Sequence, residues 1–331
     1  MAKLPIKNDS GFYEIRLESI GGLGAHLAGK MLAEAGVLGL GFNGAHFSSY
    51  GSEKKGSPIK SFVRFGEGEI RASNPVERPH LVGVFHENIF KTIDVANGLY
   101  ADGIILVNTT KTPEEIKERL NIKSGTVAVL DALSISVEEK TRVNTALLGA
   151  IFRLADFLDK EAMVNVIRAT FEEKYPKLVD SNIKTFERGF DEVQFKTFSA
   201  EEETVAEFTR AKSNVGYETQ PMGGVIINPG NTVLKDLSSS RQGFLPVFEA
   251  EKCINCALCD IACPDLCFVW EEKEDKKGRP QMFLQGIDYQ YCKGCMKCVQ
   301  VCPTEALTNM RETEGYADTN RVPHNFVLAS N

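Results

Sequence analysis

Apolar and polar positions divide the chain into two unlike parts. Residues 13–20 alternate and are partly aromatic or β-branched, which predicts a first strand. Gly21-Gly22-Leu23-Gly24 follows as a glycine turn. Ala28, Met31, Leu32 and Ala35 then recur at i, i+3, i+4 and i+7, the stripe of an amphipathic helix, and Gly36, Gly39 and Gly41 are expected to break it. A strand is expected at 61–65. Short apolar runs at 81–85, 103–107 and 126–130 read as buried strands, with helices between them at 88–97 and 113–120. Strand and helix alternating at this spacing predict an α/β, doubly wound domain on a mainly parallel sheet. Helices at about 143–158 and 161–173, and a helical stretch at 182–189, close that domain over residues 1–190.

Beyond residue 190 the periodicity fades. Residues 191–243 are polar and turn-rich and read as a connector, with Met222-Gly223-Gly224 and Asn228-Pro229-Gly230 as turn chemistry. Residues 244–312 form a second domain, α+β in character, and 313–331 a tail with weak signals, a candidate to wrap a partner. Within the second domain, 268–272 and 281–284 are expected to pair as a hairpin around an exposed charged turn at 273–280.

The second domain carries the clearest chemistry. It reads Cys253-x2-Cys256-x2-Cys259-x3-Cys263-Pro264, then Cys292-x2-Cys295-x2-Cys298-x3-Cys302-Pro303, a repeat at an offset of 39 residues. This is the bacterial two-cluster ferredoxin spacing, in which the fourth cysteine of each run ligates the other cluster. One [4Fe–4S] cluster is therefore expected on Cys253, Cys256, Cys259 and Cys302. The other is expected on Cys292, Cys295, Cys298 and Cys263. Structural zinc more often shows paired CxxC without a third cysteine at the same step. Disulfides belong to secreted chains, and residues 1–10 show no apolar signal core. Cys267, the ninth cysteine, fits neither run and reads as a small buried thiol. Lys252, Lys293 and Lys297 flank ligand positions, where they either meet an acidic electron carrier or balance cluster charge.

Composition narrows the setting. The 331 residues carry a formal charge of −7, which argues against a broad nucleic-acid surface. No run approaches the roughly 18 apolar residues of a membrane span. No nucleic-acid or membrane partner is expected, and a cytoplasmic location is.

The first domain offers weaker motifs. Gly22-Leu23-Gly24 sits between strand and helix as in a dinucleotide site, but Leu27 stands where the third glycine belongs. Gly24-x4-Gly29-Lys30 resembles a phosphate loop, but Met31 replaces the magnesium-binding hydroxyl. A self-contained NAD(P)- or flavin-linked iron–sulfur reductase is the alternative these motifs leave. The stretch 48–57, with Ser52, Lys54, Lys55 and Gly56, is a glycine- and serine-rich loop, either a solvated connection or one able to present N–H groups and positive charge to an anion. The five histidines show no ligand spacing. His26 is expected on a helix surface, and His80 and His86 as satisfied polar ends of a buried strand.

Taken together, the two halves resemble the fused gamma and delta subunits of 2-oxoacid:ferredoxin oxidoreductases, the pyruvate synthase group. Ile20-Gly21-Gly22-Leu23-Gly24-Ala25 is similar to the gamma glycine turn, with Leu23 where the family has glutamine. Tyr50-Gly51-Ser52-Glu53-Lys54-Lys55-Gly56-Ser57-Pro58 resembles its G-x-E-x-R-G-x-P loop, with Lys55 in the arginine position. Asn144 and Leu148-Gly149-Ala150 are similar to a gamma helix, and Pro229-Gly230 and Phe244-Leu245-Pro246-Val247 to the lead-in of the delta ferredoxin domain. The resemblance implies partner alpha and beta subunits that hold thiamine diphosphate and Mg2+ and carry out decarboxylation. It implies an external ferredoxin or flavodoxin as acceptor, and a dimer of heterotrimers. No catalytic residue is expected in this chain itself. The substrate implied is pyruvate or a relative, oxalate included. The loop with Ser52, Lys54, Lys55 and Gly56 is then the part that reaches toward the active site or a coenzyme A molecule. Lysine does not reproduce arginine's bidentate fork, so coenzyme A use is left open.

Overall fold

A computed structural model describes residues 3–50, 57–199, 222–223, 236–275 and 277–324. The chain divides into two compact units, Met1–Phe208 and Thr209–Asn331.

The first unit is built on a seven-stranded sheet in the order β2-β3-β1-β4-β5-β6-β7. Its strands are β1 (Phe12–Ile20), β2 (Asn43–Tyr50), β3 (Pro58–Gly66), β4 (Leu81–Val84), β5 (Ile104–Asn108), β6 (Gly125–Leu130) and β7 (Gln194–Phe198). The central strands β1, β4, β5 and β6 run parallel. Antiparallel strands complete both sides: β3 and β2 beside β1, and β7 beside β6. The helices are α1 (Ala25–Leu40), α2 (Pro113–Arg119), α3 (Ala132–Glu138), α4 (Val143–Leu154), α5 (Lys160–Phe171) and α6 (Val179–Glu192). Alternate side chains of the strands feed two cores. Ile15, Leu17, Leu81 and Leu106 pack with residues of α1, α4, α5 and α6. Val82, Val84, Ile105, Val107 and Val127 pack on the other face with Ile116 of α2 and Ile89. Both faces are covered, which is what makes continuous apolar strands stable in water.

Several elements differ from the sequence expectation. Helix α1 runs through Gly36 and Gly39 and stops only at Gly41, whose φ is 69°. The two inner glycines serve packing: a Cβ on Gly36 would lie 2.2 Å from the Phe65 ring, and one on Gly39 2.3 Å from Ala162 Cβ. The expected helix at 88–97 shrinks to a 3-10 turn, Glu87–Lys91, because Asp94 Oδ1 accepts from Ala96 N and turns the chain away. Strand β2 and helix α3 were not anticipated. Strand β7 occupies part of the expected connector; its polar sequence, mostly exposed, suits a strand at the sheet edge. Helix α4 ends at Leu154, short of 158, and α6 starts earlier and ends later than 182–189.

Beside the second core, charge replaces carbon. Glu14, Arg16, Glu18 and Arg64 are all buried. Arg64 Nε meets Glu14 Oε1 at 2.5 Å, Arg16 Nε meets Glu18 Oε1 at 2.9 Å, and Lys60 Nζ reaches the same Glu18 oxygen at 3.3 Å. The guanidinium groups also donate to backbone, Arg64 to Ala72 O at 3.2 Å and Arg16 to Val95 O at 3.0 Å and Asn97 O at 2.9 Å. The two arginines thus fasten two loops over this part of the sheet.

The second unit holds two small sheets. β8 (Phe244–Phe248) pairs with β11 (Leu307–Arg311), and β9 (Phe268–Glu274) forms the expected hairpin with β10 (Pro280–Ile287). The strands reach further than expected, and Asp275 closes the shortened turn by accepting from Arg279 N at 2.9 Å and Arg279 Nη2 at 2.7 Å. Short helices α7 (Leu258–Ala262), α8 (Lys297–Val301) and α9 (Tyr316–Thr319) complete it. Packing begins before residue 244, at Ser238–Arg241, inside the expected connector. Arg241 is buried and donates to Cys292 O at 3.0 Å and Tyr289 O at 2.6 Å, and it pairs with Glu312. The described part of the tail packs on this unit as well. Buried Asp288 accepts from Arg321 Nε at 2.6 Å and His324 N at 2.9 Å.

Helices α4 and α6 cross at Gly149 and Gly189. A Cβ on Gly149 would stand 2.0 Å from Phe186 O, and one on Gly189 1.9 Å from Ala146 O. Both obstacles are backbone, so nothing flexible can yield. Gly149→Ala or Gly189→Ala is expected to lower the stability of the first unit by about 3 kcal/mol or more, read by urea unfolding. A loss below about 0.5 kcal/mol would show that the crossing relaxes freely.

Candidate functional site

Each cysteine run folds as a tight loop leading into one short helix. Positive φ occurs at Asn255 (54°), Ala257 (60°) and Leu266 (53°), and again 39 residues on at Gly294 (67°), Met296 (58°) and Glu305 (54°). The backbone therefore repeats as the sequence does. Left-handed residues among right-handed ones turn successive N–H groups toward one side, as in an anion-binding nest. Asn255 N points at Cys253 Sγ, 3.4 Å away, while Asn255 Oδ1 accepts from Leu284 N at 3.0 Å and ties the loop to the β9–β10 hairpin.

The eight motif cysteines gather in two fours. Cys253, Cys256, Cys259 and Cys302 line one cavity, with Trp270, Leu284 and Ala306. Cys263, Cys292, Cys295 and Cys298 line the other, with Cys267 and Phe268. The fourth cysteine of each run thus stands in the cavity of the other run. Cys256 and Cys295 are exposed, and Cys259, Cys292 and Cys298 are buried. Among the described residues, no three His, Cys, Asp or Glu side chains converge on a single metal ion. Each cavity thus offers four thiols, the number that a [4Fe–4S] cluster takes. The cavities also supply polarity. Among the described residues Trp270 Nε1 is buried without an acceptor, and an acceptor within the cavity that Trp270 lines would satisfy it.

The thiols are unequal. Burial pushes Cys259 up to about 11 and Cys298 up to about 12. Cys263 is pulled down to about 6, first by a hydrogen bond with Cys267 and, against the cost of burial, by the N–H groups of Cys267 and Asp265. Burial raises Cys302 too, but N–H groups of Thr304, Leu307 and Ala306 outweigh it and hold the thiol below its usual value. Cys267 is buried beside Cys263 and Cys292, and its counterpart in the repeat is Ala306. The lysines that flank the ligands are partly neutralised: Lys252 pairs with Glu249 at 2.7 Å and Lys293 with Asp265 at 3.0 Å, while Lys297 is exposed.

In the first unit, Ser52, Lys54, Lys55 and Gly56 lie outside the described residues. The ends of their loop are placed: Ser57 O accepts from Gly21 N at 2.8 Å, which joins it to the glycine turn. Gly24 caps α1 with φ 84°, and the Asn144 side chain packs where its Cβ would be, 3.0 Å away. Gly29 lies inside α1, where a Cβ would meet Ser61 Oγ at 2.3 Å, so Gly29-Lys30 is helix and not a phosphate loop. A cluster that sequence reasoning missed joins α1 to β2 and β3. His26, exposed on α1 as expected, holds Ser48 Oγ at 3.0 Å, and His46 holds Ser61 Oγ at 2.9 Å, with the two rings 4.9 Å apart. Only the pairing of β2 with β3 and α1 brings these distant residues together.

Burial pushes His46 down to about 4, and His26 and Lys30 add repulsion. An unfolded histidine titrates near 6.5. Between these values the unfolded chain binds the extra proton, so this contribution to stability is complete above pH 6.5 and is lost as pH falls toward 4. His46→Asn is expected to flatten the stability profile between pH 6.5 and 4, measured by urea unfolding at each pH. An unchanged slope would show that His46 does not carry it.

Fold and site define an iron–sulfur protein with an α/β unit and a two-centre module. Residues 14–192 match the family model for pyruvate ferredoxin/flavodoxin oxidoreductase, and residues 252–306 match that for a 4Fe-4S dicluster domain. The first match spans more than half of the chain, and the chain belongs to the pyruvate ferredoxin/flavodoxin oxidoreductase family. Pyruvate synthase subunit PorC of Thermotoga maritima is 36% identical over 186 residues, covering 55% of this chain and 95% of that protein. The common gamma subunit of pyruvate/ketoisovalerate oxidoreductases of Pyrococcus abyssi is 34% identical over 183 residues, 55% of this chain and 97% of its own. A crystal structure of pyruvate oxidoreductase subunit PORC from Thermotoga maritima, 33% identical, covers 56% of this chain and 98% of that one at a TM-score of 0.49. Among the described residues no helix is long and apolar enough to cross a membrane.

Proposed function

We propose that this chain is the electron-transfer subunit of a thiamine diphosphate-dependent 2-oxoacid:ferredoxin oxidoreductase, a gamma-like unit joined to a delta-like module. One observation carries the reading: a single chain joins a domain of this family to two four-cysteine cavities. Cys253, Cys256, Cys259 and Cys302 hold one [4Fe–4S] cluster, and Cys263, Cys292, Cys295 and Cys298 hold the other. Such clusters take up and release single electrons. The chain's own part is to fix the thiolates, exclude water from the buried ones, and leave Cys256 and Cys295 exposed so that each centre lies near a surface.

Decarboxylation belongs to alpha and beta partners that carry thiamine diphosphate and Mg2+, in a dimer of heterotrimers, with ferredoxin or flavodoxin as the acceptor. Pyruvate is the first substrate to assay, with related 2-oxoacids and oxalate beside it. The loop with Ser52, Lys54, Lys55 and Gly56 faces the partners' active site or receives coenzyme A.

Two outcomes test this. In the reduced full chain, EPR is expected to show two [4Fe–4S] centres. Cys302→Ser should perturb the centre that Cys253→Ser perturbs, and Cys263→Ser the one that Cys292→Ser perturbs; pairing within each run would refute the exchange. The chain alone is expected to cleave no 2-oxoacid, and with alpha and beta subunits to pass electrons from one to ferredoxin. Cleavage by the isolated chain would sink the proposal. Running that assay with and without coenzyme A separates acyl-CoA formation from complete oxidation to carbon dioxide.

A further inference from the structure

The internal repeat supplies its own control. Each position of the first run has a counterpart 39 residues on, in sequence and in backbone conformation. Some departures between the halves are exposed on both sides, as at Leu258 and Lys297, whereas Trp270 lines a cavity. It stands on β9 and lines the cavity of Cys253, Cys256, Cys259 and Cys302. Its counterpart is Asn309, which is exposed on β11 and does not line the other cavity.

Trp270 Nε1 is buried with no acceptor among the described residues. Buried donors are almost always paired, and an unpaired one calls for an explanation. An indole nitrogen only donates, so what is missing is an acceptor. The cavity that the ring lines is one whose other walls include four thiols. Charged sulfur there would complete the bond.

We propose that the Trp270 indole N–H donates to a sulfur of the cluster held by Cys253, Cys256, Cys259 and Cys302, and so raises the reduction potential of that cluster alone. This rests on the ligand assignment above. Reduction adds one electron to the cluster, and the indole keeps its proton throughout. The added negative charge strengthens the bond, so the reduced state gains more than the oxidised one, and hydrogen bonds to the sulfurs are among the factors that set such potentials. Asn309 provides no such donor, so the two centres differ in this respect although their thiolate sets match.

The test is a redox titration of the full-length, cluster-loaded chain followed by EPR. Trp270→Phe keeps the ring and removes the N–H. With iron content at eight per chain, one midpoint is expected to move to more negative potential and the other to stay. The moving centre should be the one that Cys253→Ser perturbs. Two unmoved midpoints, or a shift at the other centre, overturn the proposal. Should Trp270→Phe lose iron, the native chain decides. Trp270 is the only tryptophan, so 15N-indole labelling is site-specific, and pulsed EPR of the reduced protein should show hyperfine coupling to that nitrogen. Its absence overturns the proposal. Failure to find two [4Fe–4S] centres in the native chain would instead refute the ligand assignment.

Discussion

The second unit depends on the exchange of one cysteine between its halves. Cys302 stands with the first run and Cys263 with the second. Neither half can close a four-thiol set by itself. Among the described residues, its regular structure is small: two sheets of two strands and helices of four or five residues. Four of the buried side chains in its core are cysteines, Cys259, Cys267, Cys292 and Cys298. Left-handed backbone at Ala257, Leu266, Met296 and Glu305 adds a cost of about 1 kcal/mol each. Under the proposed ligation, cluster binding offsets that cost and couples folding of the unit to its metal.

The first unit is stabilised in a different way. Its strength comes from close approach and burial: α4 against α6 through facing glycines, α1 against the β2–β3 pair through Gly29. Just before β3, Ser57 O accepts from Gly21 N, and hydrogen bonds of His26 with Ser48 and of His46 with Ser61 link α1, β2 and β3.

The central strands, most of the helices and the cysteine grouping were legible because each leaves a periodic or spaced signal. What escaped the sequence follows a common cause. β2 and β7 are polar edge or near-edge strands whose partners, not their composition, make them strands. The glycines of α1 resemble stops until Phe65 and Ala162 are seen against them. Arg241, the pin behind Cys292, sits in a serine-rich stretch with no local pattern. The His26–His46 pair joins residues twenty apart that only the sheet brings together.

The buried charges on β1 and β3 have a further consequence. Glu14 and Arg64 are shielded from water and pair with each other, and Arg16 pairs with Glu18, which Lys60 also reaches. Losing one partner strands the other, which is far worse than losing both to well-packed apolar residues. These positions are therefore free to change only in step. Within this family, substitutions there should travel as pairs, a signature of covariation.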